Sequence, residues 1–291
     1  MNKVLNQDTL QKAPEHEMLM AQLLFDEQPE ACSPEALKAA LEENVGAVEN
    51  ISDKPDMPMF SVKNFVAEFN DGKKVPVLAN FLAPLEFKTE IDELKRSQFW
   101  DVEDGNAIID NAKYCVNVFG MMADCLEYKQ QAELLLAEVD AALKCYPTCK
   151  AIYMISSGKL TTPQQFEECK RYNLSGRFIR LAVNARFFTI SGSDDMIVDT
   201  LGFYTFGAAD VQVHFHGLDP NAVVNYVYNI ASYQFDNDFP IKSGETVDGL
   251  DENGKTSWDI QWKAQYEDSL IQPVRTVLDV NCGQYAAGYR G

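Results

Sequence analysis

The sequence predicts an α+β protein built on largely antiparallel sheets with helices packed on one face, and three observations predict it. Strand-like runs outnumber helical ones, neighbouring strands are joined by hairpin turns, and a strand, a capped helix and a second strand follow one another in three places. Those places are Met18–Ile51, Tyr114–Ile155 and Val211–Val247. Their sequences differ, so they share an architecture rather than a repeat, and the expected arrangement is tandem ferredoxin-like units. A doubly wound parallel sheet is disfavoured because helices do not follow strand after strand.

Met18–Phe25 is a short apolar run. Ser33 supplies an N-cap with Pro34 at the first helical position, and Leu37, Ala40 and Leu41 recur at helical spacing. Ala47–Ile51, Phe60–Phe69 and Val75–Phe81 read as strands, with Asn70-Asp71-Gly72 as the hairpin turn between the last two. Phe87–Arg96 reads as a helix and Asp101–Asn106 as a loop dense in turn formers. Tyr114–Phe119 is a strand, followed by a long helix from an Asp124 cap to Leu143, with Ala132, Leu135, Leu136, Val139 and Leu143 on one face. Pro147 ends that helix, and Ala151–Ile155 returns as a strand. Thr162-Pro163-Gln164-Gln165 has the form of a capping box. Phe178–Ile190 and Met196–Phe206 are read as a strand pair about a turn at Ser191–Asp194. Val211–Phe215 alternates and leads through Asp219 and Pro220 into a helix whose apolar face holds Val223, Val227, Ile230 and Ala231. Strands near Ile241–Val247, Ser257–Trp262 and Arg275–Val280 close the chain around the turn DGLDENGK. The predicted organisation is a flexible N-terminal arm at 1–16, an α+β unit at 17–110, a second α+β region at 111–281 and a tail at 282–291.

Composition bounds the function. At 291 residues with 46% hydrophobic content, the chain can bury a full core. Its 44 acidic against 25 basic residues give a net charge of −19, which repels nucleic acid and anionic membrane, since both require clustered Lys and Arg. The seven cysteines are irregularly spaced and odd in number, which suits thiols in a reducing compartment. The polar N-terminus has no secretory pattern and no apolar stretch reaches membrane-span length, so the expected location is cytoplasmic.

Candidate chemistry centres on residues 201–234. Period-two alternation places Gln212, His214 and His216 on one strand face, opposite Val211, Val213 and Phe215. Two imidazoles so placed suit a borderline divalent metal if a carboxylate joins them, Asp199 or Asp210 being the candidates. The competing reading is an ordinary strand facing solvent. On the following helix Tyr226 and Tyr233 lie seven apart on one face, a candidate aromatic patch for a protein partner or for self-association, with core packing as the alternative. Cys145 and Cys149 are spaced unlike zinc knuckles and are separated by Pro147. Asp248–Lys255 fails the register of a calcium loop, because five residues before Gly254 stands Gly249. Phosphate loops, dinucleotide fingerprints, nucleophile elbows and basic stripes are absent from the sequence.

Leu201-Gly202-Phe203, Phe206-Gly207, Asp210 opening a strand, Asn229-Ile230-Ala231-Ser232-Tyr233 ending a helix, Asp248-Gly249 and Val277-Leu278-Asp279-Val280 together resemble the domain of unknown function 4261 family over roughly residues 200–281. The segment Ala151–Phe166 is similar to what often precedes that domain. An insertion, LDENGK, follows Asp248-Gly249 where the pattern runs directly into a Thr-containing turn. The resemblance implies an α+β fold and a bacterial origin, and no particular activity.

These readings converge on a non-catalytic cytosolic protein-binding domain with an acidic surface and no cofactor, for instance an antagonist of a basic protein. The alternatives are a metal-assisted enzyme centred on His214 and His216, and a homo-oligomeric assembly domain.

Overall fold

The computed structural model describes residues 4–54 and 56–288, which fall into two compact units, one formed by Glu17–Ala182 and the other by the N-terminal arm with Val183 onward. Each is an α+β unit on an antiparallel-rich sheet. The tail's last residues, 289–291, lie outside the described residues.

In the first unit, β1 (Met20–Phe25) leads to α1 (Pro34–Val45), β2 (Val48–Asn50) and the hairpin β3 (Met59–Glu68) and β4 (Lys74–Phe81). Ser33 caps α1 as expected, its hydroxyl accepting from the Ala36 N–H at 3.2 Å. The β3–β4 turn uses Gly72 at φ 78°, a left-handed backbone that glycine adopts without a Cβ penalty. After β5 (Leu85–Glu86) come two short helices, α2 (Glu93–Arg96) and α3 (Gly105–Asn111), then β6 (Tyr114–Met121). The long α4 (Tyr128–Cys145) is followed by β7 (Ala151–Met154), β8 (Leu160–Thr161), α5 (Pro163–Cys169) and α6 (Leu174–Ala182).

The strand order is β2-β3-β4-β6-β1-β7-β8, with β5 also paired to β6. The first and last strands of each strand–helix–strand unit are not neighbours: β1 lies between β6 and β7, and three strands separate β1 from β2. Helices α1 and α4 pack on each other and on one side of this sheet. Leu24, Cys115 and Tyr153 instead pack with Phe99, Val102 and Ile109 from the α2–α3 region, forming a second core layer.

Phe87–Arg96 is helical only from Glu93, where the Asp92 side chain caps α2. The predicted loop Asp101–Asn106 gives way at Gly105 to α3, whose buried Ile109 anchors it to the sheet. Asp124 sits in a 3-10 turn, and α4 starts four residues later at Tyr128. Phe178–Ala182 is helix rather than strand, because Phe178, Ile179, Leu181 and Ala182 form one buried face while Arg180 is exposed. The division between units falls between Ala182 and Val183, not between residues 110 and 111, since β4 and β6 on either side of that point pair with each other. The capping box of α5 is present as predicted, with Thr162 and Gln165 bonding reciprocally.

The second unit contains β9 (Asn184–Thr189), β10 (Met196–Leu201), a 3-10 turn at Phe203–Phe206 that replaces the predicted end of the strand, and β11 (Asp210–Phe215). Then come α7 (Pro220–Asp236), β12 (Thr246–Leu250), β13 (Thr256–Asp268) and β14 (Thr276–Asn281). The order is β12-β13-β14-β11-β10-β9, with β11 and β14 parallel and every other pair antiparallel. Helix α7 lies on β9, β10 and β11. The N-terminal arm is fastened rather than loose: Ala13 N–H donates to the Val274 carbonyl, and Val274 N–H to the Gln11 carbonyl at 2.7 Å. No helix among the described residues is long and apolar enough to cross a membrane.

One buried group makes the first unit sensitive to pH. Glu138 on α4 is 1% exposed and its Oε1 has no hydrogen-bond partner. Burial pushes its carboxyl well above the ordinary glutamate range, favouring the neutral form. A folded-state value raised above the unfolded one stabilises fully below the unfolded value, and that contribution is lost as pH rises toward the folded value. Glu138→Gln should therefore gain stability on wild type above about pH 4.5, by up to about 1.4 kcal/mol per pH unit, as read by urea unfolding at pH 5 and pH 8. Parallel pH profiles for the two proteins would refute this.

Candidate functional site

The polar side chains of the second unit assemble across its sheet by register. Arg186 of β9 pairs with Asp199 of β10, Asp199 with Gln212 of β11, Gln212 with Asp279 of β14, and Asp279 with Gln265 of β13. Directly paired residues share a face, so the five form one row across five strands. Asp199, Gln212 and Asp279 are fully buried. The opposite face carries Val198, Val211, Val213 and Phe215, the apolar alternates that receive α7.

A buried ion network closes around this row. Arg186 donates through Nε to Asp199 Oδ1 at 2.8 Å and through Nη2 to Oδ2 at 2.5 Å, a two-pronged contact. Arg275 donates through Nη2 to Asp199 Oδ2 at 2.9 Å and through Nε to Asp210 Oδ2 at 2.9 Å. Asp210 also accepts from Thr200 Oγ1 at 3.0 Å and from the Phe203 N–H at 3.1 Å. The guanidinium edges left over meet backbone: Arg186 reaches the Gln272 carbonyl at 2.7 Å, and Arg275 reaches the carbonyls of Thr200, Ile271 and Pro273. Burial pushes the Asp210 carboxyl up, while Arg275 and the Phe203 N–H pull against it. Burial alone would lower the Arg275 guanidinium, and Asp199 and Asp210 more than offset that.

This network disposes of Asp199 and Asp210 as metal ligands, since both serve as counter-ions to arginine. His214 and His216 sit at the far end of β11. The chain after β14 folds back over them: the Ala287 N–H donates to the His214 carbonyl at 3.0 Å, and the His216 N–H to the Tyr285 carbonyl at 2.9 Å. The His214 ring lies so close to Gly288 that a Cβ there would stand 3.0 Å from Cε1 and Nδ1. The strand face read as solvent-exposed is therefore covered, with Gln212 wholly buried and both histidines partly so. The third histidine, His16, packs instead on Gly207. Among the described residues no group of three or more His, Cys, Asp or Glu side chains is placed to hold a metal ion.

The two tyrosines separate. Tyr226 is 2% exposed, meets Trp262 edge-on at 5.1 Å, and donates its hydroxyl to the Asp248 carbonyl at 2.8 Å. Burial raises its phenol. Tyr233, two turns on, is 53% exposed. The β12–β13 hairpin crosses only the first part of α7, with Gly254 against Ala222, so one end of the tyrosine face becomes core and the other surface. They do not form one exposed patch.

The outward aromatic is instead Trp258, on the same hairpin. It is 78% exposed, the most exposed aromatic side chain among the described residues. The pairing of β12 with β13 skips from Asp248–Gln261 to Gly249–Ser257, so Trp258, Asp259 and Ile260 form a bulged segment, with Ile260 against Gly249 and with Trp258 and Asp259 exposed. Pairing of β13 with β14 starts at Lys263, so this part of the hairpin projects past the neighbouring strand. Trp258 is flanked in sequence by Asp259 and stands on a hairpin with Asp248, Asp251 and Glu252 against Lys255. The only sequence signal for it was a tryptophan in a turn-bounded acidic strand.

The site thus belongs to a sheet-and-helix domain locked by buried ion pairs, with an acidic hairpin as its outward feature. Residues 199–281 match the sequence model of a family described as a domain of unknown function (DUF4261). The match opens on Asp199 itself and closes at Asn281, so it contains Asp210, Arg275, Asp279 and the hairpin. Comparison with curated proteins and with solved structures returns no match.

Arg275→Ala should destabilise the protein by about 3–5 kcal/mol in denaturant unfolding, because it leaves Asp199 and Asp210 buried without one of their cations. A loss under about 1 kcal/mol would show that the network does not hold the unit together.

Proposed function

We propose that this is a non-catalytic interaction protein whose docking element is the acidic β12–β13 hairpin and whose partner is a basic protein. The observation that carries the reading is Trp258, a large aromatic exposed on a projecting hairpin. Tryptophan is the side chain most often found at the energetic centre of protein interfaces. The carboxylates around it and the net charge of −19 favour a cationic surface opposite. They disfavour a second copy of the same hairpin, which would bring like charges together, and so weigh against assembly as the main role.

The metal-assisted reading of His214 and His216 has less support, since the neighbouring carboxylates are taken by Arg186 and Arg275. On the same terms we place the protein in a bacterial cytoplasm, supported by the family resemblance and by seven cysteines that are all free thiols.

The test compares wild type with Trp258→Ala as baits at low and moderate salt. A basic protein retained by wild type and released by added salt should be lost from the variant, a change of at least about 30-fold for a central tryptophan. The variant's stability should stay within about 0.5 kcal/mol of wild type, because the side chain is exposed. Equal retention by both baits, or recovery of the same partner only through His214 and His216, would overturn the reading.

A further inference from the structure

In an acidic chain the densest cationic stretch is Lys170–Arg180, with Lys170, Arg171, Arg177 and Arg180 and no carboxylate among its eleven residues. It joins α5 to α6 in the first unit. Lys170 is already engaged, bridging Asp140 and Glu167 at 2.5 Å each. The arginines are differently placed. Gly176 on α6 lets the Tyr172 side chain lie against the helix: a Cβ at 176 would stand 2.8 Å from Tyr172 Cβ and 3.4 Å from its ring. Arg180 lies one helical turn beyond Gly176 on the same face and closes over the ring at 4.0 Å from its centroid. Arg171 approaches the same ring at 4.9 Å and donates Nη2 to the phenolic oxygen at 2.9 Å. The Thr161 hydroxyl, donating to the Arg180 carbonyl, ties the end of α6 to β8.

We propose that Arg171 and Arg180, organised around the Tyr172 ring, form a binding site for a phosphate group, either free or as a small monoester. Two guanidinium forks converging on one point offer a dianion several N–H donors, a geometry that suits phosphate better than the single fork a carboxylate needs. The phenolic oxygen acts as an internal probe of that point: hydrogen bonding from Arg171 and the charge of Arg180 hold the Tyr172 phenol below its ordinary value. Nearby acids do not neutralise the pair by contact. Glu167 is held by Lys170, and Glu168 accepts from Gln164 at 3.1 Å and acts on Arg171 through space. Both arginines are exposed and reachable from solvent.

The test titrates the full chain with inorganic phosphate and, separately, with glycerol phosphate, followed by calorimetry and by arginine Nε–Hε resonances. Saturable binding is expected, weakened at least about tenfold in Arg171→Ala and in Arg180→Ala, the worth of one charge-assisted hydrogen bond. Gly176→Ala, which leaves the charge unchanged and suits a helix, should weaken binding similarly by displacing the ring, with circular dichroism unaltered. Tighter binding of glycerol phosphate would assign an esterified ligand, and equal binding a free one. Failure of both probes to saturate, or wild-type affinity in all three variants, overturns the proposal.

Discussion

The bifurcated contact of Arg275 with Asp199 and Asp210 is the constraint on which the second unit depends. It joins the end of β10 and the start of β11 to the loop before β14, far along the sequence from both. Two carboxylates buried side by side repel each other, and neither tolerates the interior without a cation. Arg186 satisfies the remaining edge of Asp199 from β9, and backbone carbonyls take the guanidinium donors left over. Such a network specifies register, because a slip of one residue in any participating strand would turn a charged side chain toward α7. It also explains the parallel pairing of β14 with β11, since the loop that carries Arg275 must enter from the same end as Asp210.

This use of charge separates interior from surface. The buried arginines and aspartates compensate one another, so the excess of acidic residues is borne outside, and the β12–β13 hairpin displays part of it around Trp258. The first unit manages its interior charge differently. Asp140 holds Asn44, Lys144 and Lys170 together, linking α1, α4 and the end of α5. Although burial would push its carboxyl up, those partners hold it below the ordinary value. Glu138, two positions earlier on α4, has no such partner, and burial pushes its carboxyl well above the ordinary glutamate range. Two carboxyls on one helix are thus shifted in opposite directions because they project into different surroundings.

Local chemistry made much of the fold legible. Caps at Ser33, Thr162 and Asp219, the Asn70–Gly72 turn and the alternation of Val211–Phe215 depend on neighbours a few residues away, and all are present. The misread segments are those where two periods compete. Arg177–Ala182 has apolar residues that satisfy a short strand as well as a helix turn, and Asp124 has the chemistry of a cap while the chain needs one more turn first. At the site, Asp199 and Asp210 read from the sequence as candidate metal ligands rather than as counter-ions, because their partner Arg275 lies 65 residues beyond Asp210 and has no local signature.

The class of fold, the capped helices, the acidic character and the resemblance over roughly residues 200–281 could all be read from the chain, because each rests on composition or on short-range spacing. Packing set the rest: which aspartates face arginines, that Tyr226 is core while Tyr233 is surface, that the first unit ends at Ala182, and that Trp258 stands outward. Those outcomes depend on which strands become neighbours, and strand neighbours are chosen by the burial of whole faces and the pairing of distant charges rather than by any residue's local surroundings.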